Sequence, residues 1–170
     1  MKNNTALLNR LFRILALIAA VALLSQVILS LRYTGKNCCG IVGNKIQTWA
    51  PVSAVLLCNG FPNERCVSTV SNERCYTYNN VKLFDRNASI EYVIAAGRVV
   101  EIKATITEDA EEIYPLACDK IRETYEDWDG FTVQKSKDGC KMDNHIGPPW
   151  IFADIAVQNN ILTIDIVEQR

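Results

Sequence analysis

The N-terminal part of the chain differs sharply from the rest in its pattern of apolar and polar positions. Residues 11–31 are almost all apolar, and Arg13 carries the only charge among them. A helix of this length covers roughly 30 Å, which is the thickness of the hydrocarbon part of a bilayer. A helix in the core of a small soluble domain keeps a polar face, and this segment has none. The pattern therefore predicts a transmembrane helix over residues 11–31.

The distribution of charges and cysteines orients this segment. Three basic residues lie before it or at its start and two follow it, so the positive-inside rule gives a small bias towards a cytoplasmic N-terminus. None of the seven cysteines lies in the first 37 residues, as expected if the rest of the chain faces an oxidising compartment. We therefore expect a single-pass membrane protein, with residues 1–10 cytoplasmic and the C-terminal part periplasmic or extracellular.

The same segment has one feature of a cleaved signal peptide. Ala20 and Ala22 are the small residues that a signal peptidase prefers at its two recognition positions. Cleavage there would leave a nine-residue apolar stub, Leu23–Leu31, at the new N-terminus. A retained anchor is therefore the favoured interpretation, and a cleaved signal peptide is the alternative.

Residues 32–80 form a cysteine-rich segment next to the membrane, and they contain a short repeat. The sequence Asn-Glu-Arg-Cys occurs at residues 63–66 and again at residues 72–75. If a turn lies between the two copies, Cys66 and Cys75 face each other on antiparallel strands. Opposed Cα atoms in such a pair are about 4.5 Å apart, which suits a disulfide. The repeat therefore predicts a hairpin closed by a Cys66–Cys75 bridge.

The remaining five cysteines allow two further bridges and leave one thiol over. Cys118 and Cys140 are expected to join a helix to a later loop, and Cys58 then pairs with either Cys38 or Cys39. No Cys-x-x-Cys motif is present, so the thioredoxin-type redox pair is missing. The spacing also lacks the ligand pairs of a zinc site. We therefore expect the cysteines to form structural disulfides.

Residues 81–170 carry the patterns of a small α+β domain. Apolar residues alternate over Ser89–Ala95 and again over Arg98–Thr107. Ala96-Gly97 between these segments suits a short turn, so a β-hairpin is predicted. In the second strand, the alternation predicts one inward face that holds Val100, Ile102, Ala104 and Ile106.

A helix and two or three further strands are predicted after this hairpin. Asp109 and Glu112 have the spacing of a capping box, and the apolar residues after them recur at helical intervals. Asn159-Asn160 suits the tight turn of a second hairpin. The candidate strands are Phe131–Lys135, Trp150–Val157 and Ile161–Glu168.

This order of elements disfavours a parallel, doubly wound sheet, because strands and helices do not alternate along the chain. The predicted fold class is α+β. We expect an N-terminal transmembrane helix followed by one antiparallel sheet of four or five strands. A helix packs on one face of this sheet, and disulfides stabilise the domain.

The sequence offers little catalytic chemistry. His145 is the single histidine, and no nucleophile motif such as Gly-x-Ser-x-Gly accompanies it. There is no glycine-rich phosphate loop and no calcium loop. The net charge of −1 disfavours nucleic acid as a partner. We therefore expect no enzyme activity, no metal and no cofactor.

Two aromatic residues form a candidate contact surface. Trp150 and Phe152 share a face of a predicted strand, opposite the face whose apolar residues are expected to meet the helix. The hypothesis is a membrane-anchored extracytoplasmic module, tethered through residues 11–31, that binds another protein as an inhibitor, an immunity-type protein or a subunit of an envelope complex. The alternative is a thiol redox protein or sensor that uses Cys38 and Cys39.

Overall fold

The computed structural model of the protein describes residues 2–32, 48–68, 73–125, 131–135, 139–144 and 150–169. These ranges contain three α-helices and eight β-strands. The helices are α1 (Lys2–Arg32), α2 (Val52–Asn59) and α3 (Ala110–Tyr125). The strands are β1 (Glu64–Val67), β2 (Arg74–Leu83), β3 (Arg86–Ala95), β4 (Arg98–Ile106), β5 (Phe131–Lys135), β6 (Gly139–Asn144), β7 (Trp150–Gln158) and β8 (Ile161–Gln169).

All eight strands form one antiparallel sheet in the order β1-β2-β3-β4-β8-β7-β6-β5. The sheet is larger than the four or five strands expected from the sequence. Strands β1 and β2 come from the cysteine-rich segment, and β2 continues across residues 80 and 81. Strand β6 has a weak sequence signal, because only Cys140 and Met142 are apolar residues at alternate positions among polar neighbours.

The element order is the same in the two halves of the sheet. Each half begins with a helix, α2 or α3, and continues with four consecutive antiparallel strands, β1–β4 or β5–β8. The last strand of each half lies at the centre of the sheet, where Ala104 of β4 is opposite Ile164 of β8 in an antiparallel pair. The sheet therefore consists of two helix–meander units joined through β4 and β8.

Helices α2 and α3 cover the same face of the sheet. Ala54 of α2 and Ala117 of α3 belong to one core cluster with inward residues of both sheet halves, such as Tyr92 and Ile155. The hydroxyl of Tyr78 donates a hydrogen bond to the Gly60 carbonyl at the end of α2, at 3.0 Å. Helix α3 contacts β7 and β8. The buried side chains of both halves therefore form one layer between the sheet and the two helices.

A β-bulge changes which residues of β4 face the core. Val93 of β3 pairs with Glu101. The next residue, Ile94, pairs with Val99, so Val100 is an extra residue in the ladder. Val99 is fully buried and Val100 is half-buried, which corrects the expected alternation. The rest of the expected inward face is buried: Ile102, Ala104 and Ile106.

Three tight turns join strands within the two meanders. Both residues of the expected turns, Ala96-Gly97 and Asn159-Asn160, have φ values between 50° and 75°. This left-handed conformation matches the twist of two-residue hairpins. The third turn, Phe84-Asp85, has φ values of 51° and 61° and joins β2 to β3. Phe is not a typical turn residue, and Asp is a strong turn signal only when glycine follows it. The sequence therefore did not predict this turn.

The start of α3 differs from the expected capping box. Asp109 has a φ of 51°, and its carboxylate accepts a hydrogen bond from Arg86 Nε at 2.9 Å. The backbone N–H of Ile113 donates to the Asp109 carbonyl at 3.0 Å. The acid before the helix therefore ties α3 to the start of β3. Its side chain does not act as a helix cap.

Helix α1 is exposed along its apolar length. Arg10–Ile28 is a 19-residue stretch with a mean hydropathy of 2.3, and none of it is buried against the rest of the chain. By length and composition it is able to cross a membrane, and an N-terminal signal sequence has the same features. Helix α1 also approaches α2.

Candidate functional site

The candidate site is the face of the sheet opposite α2 and α3, which we call the open face. Its residues alternate with the buried residues along each strand. In the described part of the chain, no helix packs on this face. The residues that define it here are Glu91 of β3, Glu101 and Lys103 of β4, Asp165 and Val167 of β8, Phe152 and Asp154 of β7, and Lys141 of β6.

Strand register places a row of charged residues across five neighbouring strands. Lys103 lies opposite Glu91 on one side and Asp165 on the other. Asp154 lies opposite Asp165 and Lys141. Opposite charges therefore alternate along the row except at its centre, where two aspartates are adjacent. We call these five residues the charged row.

The two lysines of the charged row form ion pairs with carboxylates. Lys141 Nζ is 3.2 Å from Asp154 Oδ2, and Lys103 Nζ is 3.1 Å from Glu101 Oε1. Burial lowers the pKa of Lys103, but the hydrogen bond to Glu101 and the nearby carboxylates outweigh burial and raise it. Both lysines and Asp154 are exposed, whereas Glu101 is half-buried, and exposed ion pairs typically contribute less than about 1 kcal/mol to stability.

Asp165 has an unusual carboxyl group. Burial, the negative charge of Glu101 and a hydrogen bond with Glu101 together raise the pKa of Asp165 to about 6, against a lowering effect of Lys103. The Oδ1 atom of Asp165 is buried and has no hydrogen-bond partner among the described residues. At the centre of the open face, no described residue therefore uses the hydrogen-bonding capacity of this acceptor atom.

An apolar spot lies beside the charged row and is centred on Phe152. This residue is half-buried and lies opposite Val167 of β8 and Asp143 of β6. Val167 in turn lies opposite Glu101. Trp150, the other aromatic residue of the expected contact surface, begins β7, and its side chain lies outside the described residues. Phe152 thus supplies an aromatic ring next to the acids.

Cys66 and Cys75 form a disulfide between β1 and β2. The two residues are directly opposite each other in the strand pair, with Cα atoms 5.0 Å apart. All four residues of β1 are exposed, so this edge strand buries little apolar surface of its own. The disulfide therefore gives β1 a covalent attachment to the sheet.

Cys118 of α3 and Cys140 of β6 are both buried and are thiols in the structure. Burial raises the pKa of Cys118 to about 12, and a hydrogen bond with Cys140 acts in the same direction. The thiolate is the nucleophilic form of cysteine, so a thiol with this pKa is a poor nucleophile. The structure places the expected partners in contact, and the disulfide between them stays a prediction.

The remaining cysteines are Cys58 and its two expected partners. Cys58 is exposed near the C-terminal end of α2. Its expected partners, Cys38 and Cys39, lie outside the described residues, as does His145. Within the described ranges, no group of three or more His, Cys, Asp or Glu side chains is arranged to hold a metal ion.

The charged row has only a faint sequence signal. Lys103, Asp154 and Asp165 each occupy a polar position in an alternating strand, which is typical of any solvated sheet face. Their proximity arises from the pairing of β8 with both β4 and β7. The β7–β8 hairpin is local, but the β4–β8 pair joins segments that are distant in the sequence.

Comparison with known proteins adds no functional information. No protein-family model matches the sequence, and no curated protein matches it. Among solved structures, a cysteine-rich secretory protein from Staphylococcus aureus is similar with a TM-score of 0.37 and 9% sequence identity. The match covers 71% of this chain and 44% of that protein, so this chain spans less than half of its length.

Proposed function

We propose that this protein is a membrane-anchored binding module that holds its sheet domain outside the cytoplasm and contacts another protein through the open face. The observation that carries the proposal is the combination of Phe152 with the acids at the centre of a sheet face that no described helix covers. Two aspartates directly opposite each other, Asp154 and Asp165, destabilise a solvated sheet face. A protein partner that pairs with the acids and covers the ring supplies a reason for both features.

Helix α1 supports the membrane anchor in this proposal. Its apolar stretch is exposed on all sides, and burying it in lipid removes that surface from water. The Cys66–Cys75 disulfide supports an oxidising compartment for the sheet domain. Together with the small excess of basic residues before the span, these features favour a cytoplasmic N-terminus and a periplasmic or extracellular sheet.

The open face favours a particular kind of partner. A partner side chain with an Arg or Lys head would pair with the excess of carboxylates around Asp165, and charge-assisted hydrogen bonds are the strongest of their kind. An apolar partner residue beside it would cover Phe152, as in the buried centre of a typical interface. In this proposal, the module acts as an inhibitor, an immunity-type protein or a subunit of an envelope complex, and it performs no catalytic step.

Affinity capture of the full chain from detergent-solubilised host membranes tests this proposal. We expect the wild-type protein to retain a specific partner that Asp154→Lys and Phe152→Ala each release. The matched control is Lys82→Glu, a charge change on β2 away from the charged row. A partner that all three variants retain equally would contradict binding through the open face.

The membrane anchor is tested separately. After extraction of membranes with alkaline carbonate, the full-length chain should stay in the membrane pellet, with the sheet domain accessible to protease from the periplasmic or outer side. A chain of reduced length in the soluble fraction would indicate cleavage of the N-terminal helix and would contradict the anchor.

A further inference from the structure

The corner between α2 and β1 exposes three large apolar side chains. Leu57, Phe61 and Val67 have exposed fractions of 54%, 85% and 64%. Outside α1, the other exposed large apolar residues in the described part of the chain are Leu116 and Ile161. Three of the five exposed large apolar side chains described in the sheet domain therefore lie in this corner, Leu57–Val67.

The backbone and an arginine hold Phe61 in this exposed position. Gly60 has a φ of 74° and ends α2, and its N–H donates to the Leu56 carbonyl at 2.9 Å. The guanidinium carbon of Arg65 lies 5.9 Å from the ring centre of Phe61 and 5.5 Å from that of Tyr76. Arg65 thus links an exposed ring to a buried one. The Phe61 ring is directed away from the core by a defined turn.

The position of α1 indicates what covers this corner. Helix α1 approaches α2, and its own apolar surface is exposed over Arg10–Ile28. If α1 lies in a bilayer, α2 and the turn after it lie close to that bilayer. Apolar side chains such as Phe61 and Leu57 beside an arginine such as Arg65 are typical of segments that lie at a membrane interface, where the apolar part enters lipid and the cation stays in water.

We infer that the Leu57–Val67 corner rests on the surface of the same bilayer that α1 spans. This contact gives the sheet domain a second attachment to the membrane. It fixes the orientation of the domain relative to the bilayer. The inference rests on the membrane anchor of the proposed function. In this inference, the lipid surface is what covers the corner.

Quenching by brominated lipids tests this contact in the full chain. The protein carries Phe61→Trp and is reconstituted in vesicles of phosphatidylcholine and phosphatidylglycerol, with or without bromine on the acyl chains. We expect the emission added by the new tryptophan to fall at least twofold in brominated vesicles. Leu57→Trp provides a second position in the same corner and should behave alike. Leu116→Trp, an exposed apolar position on α3, is the matched control and should show no such loss.

A tryptophan at a third position, Phe12→Trp, reports on the anchor itself. If Phe12→Trp is quenched while Phe61→Trp and Leu57→Trp match the Leu116→Trp control, the bilayer contact of the corner is wrong and the anchor stands. If Phe12→Trp is not quenched, the anchor fails and this inference fails with it. Cross-linking between copies at the corner, without lipid quenching, would overturn the inference in favour of a contact between two chains.

Discussion

Asp154 and Asp165 lie directly opposite each other on β7 and β8, so the sheet holds two carboxylates in one cross-strand pair. Like charges in this arrangement destabilise a sheet. Glu101 adds a third carboxylate nearby, and its negative charge acts with burial to raise the pKa of Asp165. The acids therefore cost the fold stability at the centre of the open face. Local losses of stability are typical of functional surfaces, because residues that favour binding can disfavour folding.

The first prediction is that the stability of the protein falls as pH rises from about 4 to about 6. The pKa of Asp165 is about 6 in the folded protein and near its ordinary value of 3.8 in the unfolded chain. The folded state therefore binds this proton more tightly, and ionisation of Asp165 disfavours folding as pH rises through that interval. Because solvent screens a partly exposed group, we expect a loss of about 1–2 kcal/mol. Asp165→Asn should remove it, as urea unfolding at a series of pH values would measure.

The matched control for this prediction is Asp143→Asn, which removes a carboxylate from the same face beside Phe152. This variant should keep the loss of stability between the two pH values, because Asp165 is unchanged. If the stability of Asp165→Asn depends on pH in the same way as that of the wild type, then ionisation of Asp165 beside Glu101 does not cause the loss of stability.

The second prediction is that Cys118 and Cys140 form a disulfide when the protein folds in an oxidising environment. Two neighbouring thiols lose two hydrogens to a disulfide oxidant such as oxidised glutathione, which is reduced to two thiols. The bridge would connect α3 to β6 and stabilise the fold by about 3 kcal/mol, given the length of chain that it closes. Mass spectrometry of peptides prepared without reduction should find the two cysteines linked.

The raised pKa of Cys118 also predicts when this bond forms. Once both residues are buried, the thiolate needed for exchange is scarce, so oxidation of the folded and reduced protein should be slow. Oxidation should be rapid when the oxidant is present during refolding. The double variant Cys118→Ala and Cys140→Ala should match the reduced wild type apart from the cost of lost packing. Equal oxidation rates in the folded and unfolded chains would contradict this order of events.

Local signals explain which parts of the fold could be predicted from the sequence. The β3–β4 and β7–β8 hairpins combine alternating apolar residues with short turns at Ala96-Gly97 and Asn159-Asn160, and the structure contains both. The apolar N-terminal helix and the Cys66–Cys75 disulfide likewise depend on residues close together in the sequence, and both are present.

The size of the sheet could not be predicted, because it depends on pairing between distant strands. Strand β4 pairs with β8 and therefore does not lie at the edge of the sheet. This pairing joins the two four-stranded meanders into one sheet. The β-bulge at Val100 is similarly hidden, since a strict alternation gives no indication of an extra residue. The charged row follows from these same pairings, so its residues are adjacent only once the sheet has formed.

The third prediction concerns the attachment of α2 to the sheet. Tyr78→Phe removes the hydroxyl that donates to the Gly60 carbonyl, and it should lower the free energy of unfolding by about 1 kcal/mol. Burial raises the pKa of Tyr78 to about 12, so its hydroxyl stays protonated and able to donate at neutral pH. Tyr76→Phe, the same change two residues earlier, is the control. Its hydroxyl has no hydrogen bond among the described residues, so it should change stability less in urea denaturation. Equal effects of the two substitutions would argue against the Tyr78 contact.

The fourth prediction isolates a conformational cost at the β3–β4 turn. Gly97 has a φ of 75°, and an added Cβ would meet no other atom within 4 Å. Gly97→Ala should therefore destabilise the fold by about 1 kcal/mol through backbone strain alone. Gly97→Asn should cost less, because asparagine tolerates the left-handed region. Gly60 has the same free space at the end of α2, but its φ of 74° comes with a ψ of −152°, a region that is essentially restricted to glycine, so Gly60→Ala should cost more in thermal unfolding, up to about 3 kcal/mol. If Gly97→Asn destabilises the protein as much as Gly97→Ala, then contacts of the new side chain, and not the φ angle, determine the cost.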